Sequence, residues 1–305
     1  MDEYFGVKDS FIHAGTTNVL LPKAYPSIGD RILDLEVRED DIWLVSLPRT
    51  GSTWTQEMVW LLGTDLDYEG AKVIQNLRTP LIELSAVLAE GYDEFMEMYG
   101  DSVDFVKKLE PTRFIKSHLP LRLLPRQLLS VKPKIVYVAR NPKDMCVSYY
   151  YYCKLIHNLQ STFDEFCELF LNNQLPYCPI WDHILGFWEL RNEPNVLFIK
   201  YEDMKADLDG HIYKTAKFLG KEINEEQVEK LKEHLNFNSM KKNRATNIQP
   251  LLEKIQGEDY MDKIGISFIR KGTVGDYKNH MSEELSRRFD EWAAENLKGT
   301  GLSFD

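Results

Sequence analysis

Several features that would assign the protein to other classes are missing from its 305 residues. Basic residues are not in excess: 37 lysines and arginines against 48 acidic residues give a net charge of −11, which argues against a general nucleic-acid-binding protein. No apolar run reaches the roughly 18 residues that a membrane helix needs. The N-terminal MDEYFGVKDSF does not resemble a secretory signal, because it has early acidic residues and no apolar run. We therefore expect a cytoplasmic protein with no nucleic-acid or membrane partner.

The sequence also lacks the spacings of common metal, redox and nucleotide sites. Cys146, Cys153, Cys167 and Cys178 form no C-x-x-C pair and are expected to be free thiols. No group of histidines and carboxylates has a metal-ligand spacing, so no metal is expected. The pattern G-x-x-x-x-G-K-[ST] is absent, which disfavours a kinase or P-loop NTPase. Without repeats or a linker, residues 1–305 are expected to form one domain.

Short apolar runs that alternate with helical stretches dominate what is present. Such runs are typical of strands covered on both faces, and the alternation predicts an α/β fold with a central, mostly parallel sheet flanked by helices. Ligands in such folds bind beyond the carboxyl ends of the strands, so the residues that follow each strand are the site candidates. The expected strands are Ile42–Leu47, Arg113–Lys116, Ile135–Ala139 and Val196–Lys200, and the expected helices are Trp54–Leu62, Asp144–Cys153, Asp203–Leu219 and Glu225–Leu235.

The first strand leads through LPRTGSTW, residues 47–54, into a helix. A P-loop-like strand–loop–helix of this kind, with its turn at Gly51, directs backbone N–H groups and the positive end of a helix dipole at one place. Thr50, Ser52 and Thr53 supply hydroxyl donors, and Arg49 supplies a cation. These residues predict an anion site, although an ordinary capped helix has a similar composition.

The second strand ends in FIKSHLP, where Lys116 and His118 are two residues apart. In extended chain this spacing turns both side chains to the same side. A neutral imidazole there could act as a general base while the ammonium stabilises developing negative charge. A hydrogen-bonded loop histidine is the alternative, and the pair by itself does not separate the two.

Two further turns carry cations. Arg140 leaves the third strand in VARNPKDMCVSYY, with Ser148 in the helix that follows, and an arginine fork suits a phosphate because it donates two bonds at once. In FIRKGTVGDYK, Arg270 and Lys271 precede Gly272, whose backbone can approach a phosphate closely. Each could be a solvated surface turn. Four cationic turns in an acidic chain together predict a ligand with two separate anionic groups.

The strings PRTGSTW, KSHLP, RNPKDMCVSYY and RKGTVGDYK, in this order, resemble the motifs of the cytosolic sulfotransferases. YEDM at 201–204 and FNSMKKN at 237–243 are similar to further signatures of that family, and the match extends over residues 42–278. The resemblance implies transfer of a sulfuryl group from 3′-phosphoadenosine-5′-phosphosulfate (PAPS) to a hydroxyl of a small, largely apolar acceptor. This acceptor would be a phenol, an alcohol or a sterol-like molecule, and the other product would be 3′,5′-adenosine bisphosphate (PAP).

The resemblance also implies a role for each site residue. His118 would take the proton from the acceptor, and Lys116 and Arg49 would stabilise charge on the transferring and leaving oxygens. Residues expected to hold the donor are those of the 48–54 loop for the phosphosulfate, Trp54 and Phe237 around the adenine, Tyr201 as support, and Arg140, Ser148, Arg270, Lys271 and the Gly272 backbone at the 3′-phosphate. Leu81, Leu84 and Tyr152 fall where the family lines its acceptor pocket, although the leucines could equally be core residues.

The sequence departs from the family pattern at several places. Arg49 replaces the usual loop lysine, Leu235–Asn236 replaces the Thr-Ser pair before Phe237, and Tyr277 replaces a tryptophan. KNHMSEELSR, residues 278–287, lacks the Thr-Val pair and the final glutamate of the family's dimer motif, so dimerisation by that route is not expected.

Two other functions stay open on the same fold. One is an alcohol dehydratase of the retinoid type, in which a transient sulfate ester eliminates sulfate. The other is a non-catalytic protein that binds adenosine bisphosphate, an alternative to which Arg49 gives weight because it alters the family's catalytic loop.

Overall fold

A sheet of four parallel strands forms the centre of the computed structural model, which describes residues 2–5, 10–14, 18–88, 100–157, 159–248, 252–253, 257 and 259–304. The strands are β3 (Ile42–Ser46), β4 (Phe114–Ser117), β5 (Lys134–Ala139) and β6 (Val196–Lys200), in the spatial order β4-β3-β5-β6. An antiparallel pair, β1 (Phe11–His13) and β2 (Leu20–Pro22), lies outside this sheet. The predicted α/β class with a mostly parallel sheet is confirmed.

Helices flank the sheet. They are α1 Asp2–Phe5, α2 Pro26–Leu33, α3 Ser52–Gly63, α4 Gln75–Arg78, α5 Leu84–Val87, α6 Ser102–Lys108, α7 Leu128–Val131, α8 Pro142–Ile156, α9 Phe163–Leu171, α10 Ile180–Glu189, α11 Tyr201–Ala206, α12 Leu208–Leu219, α13 Glu225–Leu235, α14 Phe237–Lys242, α15 Tyr260–Ile264 and α16 Glu283–Leu297, with 3₁₀ turns at Gly70–Lys72, Leu121–Leu123 and Asp276–Asn279. In the described part of the chain no helix is long and apolar enough to cross a membrane. The four cysteines are buried free thiols, as expected.

The two faces of the sheet pack into separate hydrophobic clusters. Along β3, Trp43 and Val45 belong to one cluster, which α8, α9, α10 and α16 complete. Ile42 and Leu44 belong to the other, which α3, α12 and α13 cover. Successive side chains of a strand point to opposite faces, so a strand that must be apolar on both faces reads as an unbroken apolar run.

The predicted elements differ from the observed ones mainly at their ends. The third strand starts one residue earlier, the second runs one residue later to Ser117, and the first ends at Ser46. The single helix expected over Asp203–Leu219 is wrong, because the chain breaks at Asp207 into α11 and α12. The Asp207 side chain accepts the N–H of Gly210 and so caps a new helix, a role that aspartate commonly takes.

A buried ion pair fixes the amino-terminal ends of the strands. Arg113 donates from Nε and Nη2 to the two carboxylate oxygens of Asp41, at 2.7 and 2.6 Å, and both side chains are almost fully buried. The backbone joins the same two residues to the sheet, because Ile42 N–H donates to the Arg113 carbonyl and Lys134 N–H donates to the Asp41 carbonyl. The carboxyl ends of the strands lie on the other side of the sheet and carry the turns that follow each strand.

We expect Asp41→Ala to lower the free energy of unfolding by about 3–5 kcal/mol, because it leaves the Arg113 guanidinium buried without a counter-charge. Urea denaturation followed by circular dichroism measures this change. Arg287→Ala is the control, since it breaks the exposed Arg287–Glu291 pair, and exposed pairs contribute little. Similar midpoints for both variants would contradict the structural importance of the buried pair.

Candidate active site

A cavity of about 550 Å³ lies where the turns after β3, β4 and β5 meet the turn at residues 270–272, which follows α15 instead of a strand. Of the residues proposed from the sequence, those that line it are Arg49, Gly51, Ser52, Thr53, Trp54, Leu81, Leu84, Lys116, His118, Arg140, Ser148, Tyr152, Tyr201, Phe237, Arg270, Lys271 and Gly272. Thr50 differs, because its hydroxyl donates to the Leu47 carbonyl at 2.9 Å and its side chain is not part of the cavity wall. Arg49 and Gly272, which are 223 positions apart, thus share one cleft. The carboxyl ends of parallel strands lie on the same side of a sheet, which brings the turns that follow them together.

The turn after β3 requires glycine at its apex. Gly51 has φ of 96°, and a Cβ there would lie 2.5 Å from Cδ2 of Tyr201. Gly51 is followed directly by α3, and the first N–H groups of a helix have no partner within it. Ser52 and Thr53, which begin the helix, both line the cavity. The strand–turn–helix on which the predicted anion site depends is therefore present.

Arg140 ties two of the cationic turns together. Its Nη1 donates to the Arg49 carbonyl at 3.3 Å and its Nη2 to the Thr273 carbonyl at 3.0 Å. The guanidinium carbon lies 4.5 Å from the ring centre of Tyr201. Its Nε is buried and has no hydrogen-bond partner among the described residues. Two backbone carbonyls thus hold Arg140 in place, and its ion pair with Asp144 is long, at 3.9 Å.

The Arg49 side chain joins helix α8 to the segment before Arg270. Its Nε donates to Ser148 Oγ at 3.1 Å and its Nη2 to the Phe268 carbonyl at 2.8 Å. The guanidinium lies 5.3 Å from the ring centre of Tyr152 and 4.9 Å from that of Phe268. Burial lowers the pKa of Arg49 to about 10, with Tyr152 opposing and Arg140 adding to the shift. The group stays charged at neutral pH.

Asp276 holds the C-terminal cationic turn. It accepts from Arg270 Nη2 at 2.6 Å and from Lys271 Nζ at 2.8 Å. Although burial acts to raise the pKa of Asp276, these donors hold it well below its usual range. Gly272, with φ of 64°, lies so close to Phe237 that a Cβ would be 2.6 Å from its ring. The turn and the aromatic wall are therefore packed as one unit.

His118 is held in one tautomer. Its Nδ1 is 2.7 Å from the Ser46 carbonyl, which can only accept, so Nδ1 carries the proton and Nε2 keeps a lone pair. The His118 carbonyl in turn accepts from Nε2 of His183 at 3.0 Å. Burial, followed by the charge of Lys116, lowers the pKa of His118 well below its ordinary value. A neutral imidazole with a free Nε2 is the form that a general base needs.

Glu83 supports this histidine, and sequence reasoning missed it. One of its carboxylate oxygens accepts the backbone N–H of His118 at 2.6 Å, and the other accepts the Ser117 hydroxyl at 3.0 Å. Burial raises the pKa of Glu83 to about 7, and burial lowers that of Lys116 to about 8. The only signal in the sequence was a single carboxylate inside the apolar stretch PLIEL, residues 80–84.

The segment that carries Glu83 extends the sheet edge. Lys116 N–H donates to the Pro80 carbonyl, and Ile82 N–H donates to the Lys116 carbonyl, both at 2.9 Å. This pairing brings Leu81 and Leu84 beside the site. The two leucines also form a small hydrophobic cluster with Leu88.

The cavity has an aromatic end and an apolar side. At the aromatic end, Trp54 donates from Nε1 to the Leu235 carbonyl at 2.8 Å and meets Tyr201 edge-on, with Phe237 in the same wall. The apolar side, apart from the predicted leucines and Tyr152, is lined by Phe11, Pro22, Val87, Leu88, Tyr149, Ile156, Tyr177, Ile248 and Leu252. Within the described ranges, no three His, Cys, Asp or Glu residues are grouped so that they could hold a metal ion.

Fixed cations beside a neutral, oriented imidazole define a class of enzyme. The class is that of group-transfer enzymes that act on an anionic donor and a protic acceptor, with protein charges stabilising the transferring group.

Comparison with known proteins gives the particular family. Residues 39–301 match the family model "Sulfotransferase domain". The chain is 41% identical to luciferin sulfotransferase of Photinus pyralis, covering 96% of this chain and 81% of that protein. It is 33% identical to sulfotransferase 1E1 of Cavia porcellus, covering 98% and 96%. The chain belongs to the sulfotransferase family and is a sulfotransferase enzyme.

Solved structures agree with this assignment. Retinol dehydratase in complex with retinol and PAP has a TM-score of 0.87 at 32% identity, covering all of this chain and 95% of that one. Mouse sulfotransferase SULT7A1 in complex with PAP has a TM-score of 0.72 at 28% identity, with 92% of each chain covered. The resemblance seen in the sequence motifs is confirmed at the level of the family.

We expect His118 to stay neutral, with its proton on Nδ1, at the pH where an ordinary histidine is half-protonated, because burial lowers its pKa. ¹⁵N NMR of histidine-labelled protein measures this, and His118→Gln assigns the signals. A His118 that titrates like an ordinary histidine would contradict the described burial.

Proposed function

We propose that the protein transfers a sulfuryl group from PAPS to a hydroxyl of a small, largely apolar acceptor, with His118 as the general base. One observation carries the proposal: a single cavity joins the cations Arg140, Arg270 and Lys271 to His118 and Lys116, and continues along an apolar wall. A donor with two anionic groups would occupy the cationic part, and the acceptor would occupy the apolar part. We also propose a cytoplasmic location and one domain over residues 1–305.

The residues present fit an adenosine donor. Arg140 and Arg270 each have a buried Nε without a hydrogen-bond partner among the described residues, so each keeps a donor that the protein does not use. These two side chains, with Lys271, Ser148 and the Gly272 backbone, would bind the 3′-phosphate. The first turn of α3 would bind the 5′-phosphosulfate. Trp54 and Phe237 would enclose the adenine, since flat aromatic rings suit a base, with Tyr201 beneath.

Transfer needs one proton acceptor and stabilisation of charge at two oxygens. His118 would take the hydroxyl proton on Nε2 as the acceptor oxygen forms its bond to sulfur. The bridging oxygen of the donor would keep the electron pair of its bond to sulfur, which gives PAP. Lys116 and Arg49 would stabilise the negative charge of the transferring and leaving oxygens. In such transfers positioning and charge carry most of the catalysis.

Arg49 would act by its charge and not by giving up a proton. Its pKa of about 10 keeps it protonated, and its bonds to Ser148 and Phe268 hold the guanidinium at the junction of donor and acceptor. An arginine therefore preserves the electrostatic part of the role that the family's lysine has. This argues against the non-catalytic alternative, which rested on Arg49.

The acceptor is proposed to be a phenol, an alcohol or a sterol-like molecule. The apolar lining supports such a molecule, and the similar proteins include one named for luciferin and one crystallised with retinol. The TM-score of 0.87 to retinol dehydratase also favours a second candidate, dehydration of an allylic alcohol through a transient sulfate ester. Product mass separates the two, because a sulfate ester is heavier than the acceptor and a dehydrated product is lighter.

The test is turnover of PAPS by the wild type with a panel of phenols and retinol. We expect His118→Ala to lower kcat about 10²- to 10⁴-fold, the usual contribution of a general base. Its affinity for PAP, measured by calorimetry, should stay within a few-fold, because His118 is at the acceptor side. A wild type that binds PAP but consumes no PAPS with any acceptor would leave only the non-catalytic alternative.

Gly272→Ala should weaken PAP binding about tenfold or more. Its Cβ would displace Phe237, and such overpacking typically costs about 1–3 kcal/mol. Gly275→Ala is a matched control: its φ of 81° imposes a similar backbone strain, but no atom lies within 4 Å of the added Cβ. Equal losses of affinity in the two variants would show that strain, and not the contact with Phe237, is responsible.

A further inference from the structure

His157 is a polar residue in the apolar wall of the cavity. It follows α8 directly, and its ring meets three aromatic rings edge-on. The ring centres lie 6.3 Å away for Phe5, 6.4 Å for Phe11 and 5.6 Å for Tyr152. Three aromatic contacts fix the position of the imidazole, so it is a built part of the wall.

The ring nitrogens of His157 are not used by the protein. Among the described residues, no group forms a hydrogen bond with either nitrogen. Neither nitrogen is one of the fully buried polar atoms that lack a hydrogen-bond partner. The residue is only half-buried, although it is surrounded by aromatic side chains. A polar group in an apolar environment normally has a hydrogen-bond partner. A ligand bound in the cavity can supply this hydrogen-bond partner.

Burial lowers the pKa of His157 to about 4, so its ring is neutral at physiological pH. A neutral imidazole has one nitrogen that donates and one that accepts. It therefore suits a neutral hydroxyl, carbonyl or amide, each of which can use one of these nitrogens. A fixed charge on the ligand would find no counter-charge on this ring.

Tyr152 lies between the reacting end of the cavity and His157. Its ring centre is 5.3 Å from the Arg49 guanidinium, which would stabilise charge at the reacting end. His157 is five residues further along, or roughly 7 Å along the axis at the rise of an α-helix. Tyr152 and Ile156 both line the cavity. An acceptor that reaches from Arg49 past Tyr152 to His157 must be longer than a single ring.

We infer that His157 determines acceptor specificity by hydrogen-bonding a neutral polar group at the end of the acceptor remote from the hydroxyl that is sulfated. This inference rests on the proposed function. It names a class of acceptor: an elongated, mostly apolar molecule of two or more rings with a polar group at each end.

Matched acceptors test the inference. The long pairs are 4-phenylphenol with 4,4′-dihydroxybiphenyl and 4-hydroxystilbene with 4,4′-dihydroxystilbene; the short control pair is 4-ethylphenol with 4-(hydroxymethyl)phenol. We expect the wild type to favour the polar member of a long pair by about three- to tenfold in kcat/KM, the effect of one hydrogen bond. His157→Phe should remove this preference through KM, and His157→Gln, which keeps a donor and an acceptor, should retain part of it.

The controls separate a binding role from a packing role. PAP affinity should be unchanged in both variants, and the short pair should show no dependence on residue 157. If His157→Phe does not fold, His157→Gln and His157→Leu are compared in the same way. The inference is overturned if the wild type shows no preference in either long pair, or if His157→Phe leaves the ratio unchanged or alters both members equally. Absence of turnover with every acceptor would instead overturn the proposed function.

Discussion

The site depends on positive charges held out of water in a protein whose net charge is −11. Arg140 and Arg270 are close enough for their charges to act on Arg49, and burial adds to the cost of keeping Arg49 ionised. Backbone carbonyls and Asp276 fix these groups in position without neutralising all of their charge. Because these charges are fixed and partly removed from water before a ligand binds, the site is already complementary to an anion. This is preorganised charge stabilisation.

The parallel sheet makes this concentration of charge possible. The carboxyl ends of its four strands lie on one side of the sheet. Turns that are far apart in the chain therefore meet there without long connecting loops. The buried Arg113–Asp41 pair fixes the opposite edge. Between the two, apolar strands packed on both faces provide a rigid base for His118, whose tautomer is set by the Ser46 carbonyl at the end of the neighbouring strand. Chemistry and stability are thus assigned to opposite ends of the same strands.

Arg49 shows how a departure from a family pattern can be accommodated. The residue adopts a positive φ of 70°, a conformation unusual for a side chain other than glycine, and its guanidinium reaches both Ser148 and the Phe268 carbonyl. A lysine has a single ammonium and could not span both partners in the same planar way. In this chain the residue therefore links helix α8 and the segment before Arg270 to the loop after β3, in addition to carrying charge.

The sequence alone determined the fold class, the four central strands and the cationic turns, because apolar runs, glycine turns and strand-end cations are local patterns. It also pointed to His118 and Lys116 through their spacing. Only the tertiary structure showed that these turns share one cavity, that Thr50 is turned away from it, and that Asp207 splits a helix. Glu83 and His157 escaped the sequence because their importance comes from burial and from neighbours distant in the chain. No local pattern encodes the loss of water around a side chain, and that loss decides both their pKa values and what they can bind.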